Sequence, residues 1–282
     1  MLTPAPNWDH FRLPCQGRLT TESGVPVSTS DRTAQGTIYF TPFRGNLIGL
    51  YDGSGWQLLT FAEISLALTL TSGKNYDVFA YSNSGTAALE LSAAWTNDTT
   101  RADALALQDG VLVKSGTTTR RWLGTIRASA ANVTEDSDAK RFVWNHQNQV
   151  LRRLHKTETT ASWTYNTASY RQANAAVANQ VEVVIGAVAL VDLEATHTHA
   201  GATAGLGAYW AIGEDSTTTP DAANAPFQVW VNQANMIESG PSRLIKYPAI
   251  GYHYYAWLEY GTTASTFYGY SANLRSNGLR GH

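Results

Sequence analysis

Residues 35–126 form a series of short apolar runs cut by turn signals. The runs at 38–41, 47–51, 56–61, 76–81, 89–91, 111–113 and 122–126 are rich in the β-branched and aromatic residues that suit a pleated, half-buried surface. Between them stand Arg44-Gly45-Asn46, Asp52-Gly53-Ser54-Gly55, Ser72-Gly73-Lys74, Asn83-Ser84-Gly85, Asp109-Gly110 and Ser115-Gly116. Gly, Asn and Asp tolerate the positive φ that tight turns need, so Asp52-Gly53 predicts a hairpin. Along 76–81, Tyr76, Val78 and Ala80 share one face, and Asp77, Phe79 and Tyr81 share the other. Both faces carry apolar groups, so a core is expected on one side and a second sheet or subunit on the other. One helical turn is expected at 99–108, capped by Asp98 or Thr99, with Ala102, Leu105 and Ala106 turned inward.

The pattern restarts at 141. Phe142 and Trp144 alternate with Val143 and Asn145, and Val181, Val183 and Ile185 alternate with Glu182 and Val184. Further strands are expected at 194–199, 209–212, 227–231 and 252–260. This spacing predicts an all-β chain of two antiparallel domains, the second a sandwich or jelly roll, with at most a short helix. Residues 1–34, rich in Pro and Thr, are expected to anchor the chain, and 35–127 to form a docking or assembly module. Small, polar 128–140 with its acidic centre is expected to be a linker, and 141–282 an outer sandwich open to receptor binding. Trp8 and Phe11 either cap the chain's own core or dock on a neighbouring subunit.

Composition narrows the function. Of 282 residues only 15% are charged, and 9 Trp, 14 Tyr and 8 Phe supply large areas to bury. The net charge of −2 leaves no basic footprint for nucleic acid. Arg152-Arg153 with Lys156 reads as a solvated strand end. Cys15 is the only cysteine, which excludes an intramolecular disulfide and suits a small buried hydrophobe. The first residues lack the basic and apolar regions of a signal peptide, so synthesis in a cytoplasm is expected. No apolar run approaches the length of a membrane helix, and no membrane insertion is expected.

Candidate chemistry is sparse. Neither a P-loop nor a dinucleotide fingerprint is present, and no cofactor is expected. Glu63, Asp77, Glu214 and Asp215 are carboxylates of the type a glycosidase pairs, but nothing in their spacing pairs them, and no enzyme activity is expected. His197 and His199 are two apart, so on a strand both imidazoles point to one face, where they either hold a metal or simply pack. His253, among Tyr252, Tyr254, Tyr255 and Trp257, is expected to pack and donate to a backbone carbonyl. Tyr and Trp rings stack on the apolar faces of sugars while amides and carboxylates read the hydroxyls. Tyr254, Tyr268 and Tyr270 are therefore the candidate ligand-binding residues, with core packing as the alternative for each ring.

Several motifs together resemble those of virion surface proteins from tailed bacteriophages and phage-like particles such as prophages and gene transfer agents. They are Cys15-Gln16-Gly17-Arg18-Leu19-Thr20, Ser23-Gly24-Val25-Pro26-Val27, Ile48-Gly49-Leu50-Tyr51-Asp52-Gly53, Asn75-Tyr76-Asp77-Val78-Phe79 and Arg120-Arg121-Trp122-Leu123-Gly124. Arg141-Phe142-Val143-Trp144-Asn145 and Gly251-Tyr252-His253-Tyr254 extend the likeness into the second half. The resemblance implies a structural part of a surface projection, such as a head spike, tail fibre or its base or adaptor. It implies a homo-oligomer, with a trimer favoured and five-fold symmetry the alternative. Its partners would be other virion proteins and host surface polysaccharide. A capsid decoration or cement protein is the alternative, and a glycan depolymerase the more distant one.

Overall fold

The computed structural model describes residues 13–271 and 273–282. Trp8 and Phe11 lie outside the described residues. Regular structure in the described residues is β apart from a 3-10 turn at Ala173–Ala175. The chain is all-β, in several antiparallel sheets.

In the first half, Thr37–Pro42 lies between Gly17–Thr20 and Ile64–Ala67 in a 3-stranded sheet. Leu47–Tyr51 and Trp56–Thr60 make the expected hairpin. Asp52 accepts from the backbone N–H of Ser54 and Gly55 at 2.8 and 2.9 Å, and Gly53 takes φ 105°. These sheets close over Asn75–Asn83 and Thr117–Ala130 around one core, which includes Ile38, Phe40, Ile48, Leu50, Val78 and Ile126. Cys15 packs at its edge.

A 14-stranded sheet joins the two halves. Its main path runs from Phe227–Val231 through Leu206–Glu214, Gly251–Gly261 and Gln180–Ile185. It then crosses Lys140–Arg141 and Val133–Asp136 to reach Thr117–Ala130. The crossing is a parallel pairing of Lys140 with Glu182 and Arg141 with Val183. In the second half a 7-stranded sheet centred on Val191–Gly201 faces the large one. The sandwich core lies between them: Val181, Trp210, Tyr255 and Trp257 from the large sheet, and Leu193, Leu244, Phe267 and Leu279 from the small one.

Two expectations are corrected. Residues 128–140 are not a linker, because Val133–Asp136 pairs with both Thr117–Ala130 and Arg32–Gln35. The acidic centre that suggested a solvated loop is charge-paired, with Asp136 holding Arg141 and Arg152 at 3.0 Å each. The second pairing also ties Arg32–Gln35, at the end of the segment expected as an anchor, to the first module. The helical turn at 99–108 is absent. Asn97 Oδ1 accepts from the Thr99 N–H, and Leu105–Gln108 pairs with Val111–Lys114 across Asp109 and Gly110, at φ 50° and 82°. The turn chemistry of Asp-Gly outweighs a short run of helix formers.

Candidate ligand-binding face

The strand Gly251–Gly261 divides its side chains by parity. His253, Tyr255, Trp257 and Glu259 turn toward the sandwich core, and Tyr252, Tyr254, Ala256, Leu258 and Tyr260 turn to the opposite face, where Ala256 and Leu258 are buried in a small second cluster with Ala211 and the tyrosines are half-buried. Register then assembles a row that no single segment contains. Tyr170 lies opposite Tyr260, Tyr260 opposite Tyr209, and Tyr209 opposite Gln228. The ring centroids of Tyr170 and Tyr260 are 5.2 Å apart, and those of Tyr209 and Tyr260 are 5.0 Å apart at 81°. Gln228 Nε2 donates to the Tyr209 hydroxyl at 2.9 Å. Burial and the neighbouring phenols of Tyr209 and Tyr260 push the Tyr170 hydroxyl above its ordinary pKa.

Trp230 extends the row. It lies on the same outer face as Gln228 and is 61% exposed. Its cross-strand partner is Gly207, and a Cβ there would meet Trp230 Cε3 at 3.0 Å. The missing side chain lets the indole lie across the strand. Four strands at a spacing of about 4.8 Å make the row from Tyr170 to Gln228 roughly 14 Å long. Uncharged rings edged by an amide and phenol hydroxyls can stack on apolar faces and hydrogen-bond to hydroxyl groups.

The predicted ligand-binding tyrosines separate. Tyr254 shares this face but lies six residues from Tyr260 along one strand, about 20 Å away at 3.4 Å per residue. Tyr268 belongs to Ser265–Tyr268 in the 7-stranded sheet, where Phe267 turns inward and Tyr268 away from the core. Tyr268 and its neighbour Tyr270 therefore lie across the sandwich from Tyr254, and one ligand cannot span all three. Sequence reasoning did not single out Tyr170, Tyr209 or Trp230, and within the aromatic strand 252–260 it chose Tyr254 rather than Tyr260. The signal for Trp230 was present: in 227–231 it falls in phase with Gln228, opposite Phe227, Val229 and Val231.

His197 and His199 point to one face as expected, but into the core. Both are fully buried. His197 stacks on Trp257 at 4.1 Å with Trp163, Trp210 and Phe267 around it, and His199 packs on Phe267. None of their ring nitrogens has a hydrogen-bond partner in the described residues, nor does Trp257 Nε1. Burial holds His197 well below the usual imidazole range and brings His199 down to about 4. No group of three His, Cys, Asp or Glu side chains able to hold a metal occurs among the described residues. His253 Nε2 faces the Ala249 carbonyl at 3.0 Å, as predicted. Its Nδ1 faces Asp215 at 2.8 Å, and this carboxylate helps raise its pKa against the cost of burial.

The buried carboxylates form two similar knots. Asp77 accepts from the indoles of Trp95 and Trp122, the Thr125 hydroxyl and Arg101 Nε, all within 2.9 Å. Arg101 lies over both indoles. Glu259 accepts from Trp163 Nε1, Arg171 Nε and the Asn174 N–H. Burial pushes Glu259 up to about 7 and also raises Asp77. Each knot surrounds its oxygens with donors alone, the environment of an ionised group, so the geometry favours the charged form over the raised pKa. Glu63 is occupied by Ser23, Gly24 and Thr41, and Glu214 by Lys246 and Tyr255.

The chain matches no protein-family model and no curated protein. One solved structure aligned with it is a Bacillus thuringiensis Cry1Da tryptic core variant, at 6% identity and a TM-score of 0.22. The alignment covers 88% of this chain and 48% of that one, and a likeness so weak carries no argument.

Proposed function

We propose that the chain is a non-catalytic structural protein on the surface of a phage or phage-like particle, part of a projection that holds host surface polysaccharide. The observation that carries the binding part is the outward row Tyr170–Tyr260–Tyr209–Gln228 with Trp230 beside it. Sugar rings stack on such surfaces, and single contacts of this kind are weak, so several copies on one particle would multiply them. The placement on a virion rests on the sequence motifs resembling that group, and the all-β architecture suits it.

The test is calorimetric titration of purified host capsule oligosaccharides into the wild-type chain and into Trp230→Ala/Tyr209→Ala. At least a tenfold loss of affinity is expected, with an unchanged melting temperature. The Tyr268→Ala/Tyr270→Ala variant is expected to bind as wild type. Loss of binding in that variant alone would move the site to the opposite sheet. Absence of saccharide binding by the wild type would refute the reading.

A further inference from the structure

A cleft of about 360 Å³ opens where the two halves meet. It lies near Val143 and Trp144 on one side and Val183, Val184 and Leu190 on the other, away from the aromatic row. Ten of its lining residues are Val, Leu, Ile or Ala. Its mouth keeps apolar groups in water, with Leu151 79% and Leu190 47% exposed. The volume suits a single small ligand.

Its polar lining combines three arginines, Arg18, Arg141 and Arg152, with Asn145, Gln149 and His282, and no lining side chain is a carboxylic acid. Behind the wall, Asp136 is shared by Arg141 and Arg152, and Asp138 by Arg141 and Arg153. Arg18 is only 4% exposed. Its Nε donates to the Pro26 carbonyl at 3.0 Å and its Nη1 to the Asn148 carbonyl. No carboxylate of the described residues lies within ion-pairing distance of it. Asp136 offsets the Arg18 charge only from a distance and is itself shared by Arg141 and Arg152, so a buried cation with no direct ion pair is costly, and an anion entering the cleft would relieve that cost. Burial and the nearby Arg152 charge already bring the Arg18 pKa down to about 10.

The geometry points to a binding site for a small amphiphilic carboxylate, its anionic head against Arg18 and its apolar body along Val184, Leu190 and Leu151. This site is independent of the aromatic row, so either can fail alone.

Decanoate, decanol and acetate separate the two requirements by calorimetric titration. Decanoate is expected to saturate one site at least tenfold more tightly than decanol, with acetate silent over the same range. Arg18→Met should abolish the preference for decanoate over decanol. Because Arg18 also ties two carbonyls, a second variant avoids the core. Leu190→Glu places a like charge at the exposed mouth and should weaken decanoate at least tenfold without shifting the melting temperature. Equal binding of decanoate and decanol, no saturable decanoate binding, or full decanoate affinity in Leu190→Glu would each overturn the assignment.

Discussion

At the scale of single residues, buried polar groups decide the behaviour. His197 and His199 are neutral in the fold, whereas an unfolded chain would protonate them near pH 6.5. The unfolded state therefore binds more protons as the pH falls below 6.5, and stability drops with it. For His199 the loss levels off near its folded pKa of about 4, at about 3 kcal/mol. Chemical denaturation between pH 7 and 4 is expected to show this acid limb, and His199→Leu is expected to shrink it while leaving the part that His197 contributes. His253 acts with the opposite sign, because its raised pKa adds stability that is present in acid and lost as pH rises through the folded value. Asp77 tests a different cost. Asp77→Asn turns an amide N–H toward donors and removes the counter-charge of Arg101, so a loss of about 3–5 kcal/mol is expected by denaturant titration.

At the scale of elements, the strands with a clear apolar period, such as 76–81 and 252–260, were legible, whereas Ile237–Lys246 and Gly17–Thr20 were not, and no strand's neighbours were. Residues 47–51 and 56–61 read as a hairpin because Asp52-Gly53 lies between them, a local signal. The row from Tyr170 to Gln228 depends on pairings between segments 19 to 90 positions apart, and alternation within one strand says nothing about which strand lies opposite. The candidate tyrosines were therefore taken from the most aromatic segments, which register then placed on opposite faces. The same gap hid the strand in 128–140, whose acidic residues read as solvated until their arginine partners across the fold were known. Gly207 shows how an element serves its neighbour's side chain. Gly207→Val is expected to lift the Trp230 indole from the sheet and to weaken saccharide binding as Trp230→Ala does. Both variants should stay within about 1 kcal/mol of wild-type stability, because the site is on the surface.

At the scale of the whole molecule, two cores share one sheet. Besides the parallel pairing at Lys140–Arg141, Arg101 Nη2 reaches the Gly186 carbonyl and Arg127 lies 3.5 Å from the Tyr252 ring centroid. Tyr252 N–H donates to the Asp98 carbonyl at 3.0 Å. With so many bonds across the junction, the halves are expected to unfold together. Calorimetry should give one transition whose calorimetric and van't Hoff enthalpies agree, and two resolved transitions would contradict the coupling. The unbroken sheet also has a mechanical meaning. A pull between the N-terminal module and the proposed ligand-binding face would load the parallel Lys140–Glu182 and Arg141–Val183 pairing along its strands, in shear. Its hydrogen bonds would then share the force instead of peeling one at a time. In the proposed role, a projection tethered at one end and gripping a cell at the other would carry tension through this backbone ladder.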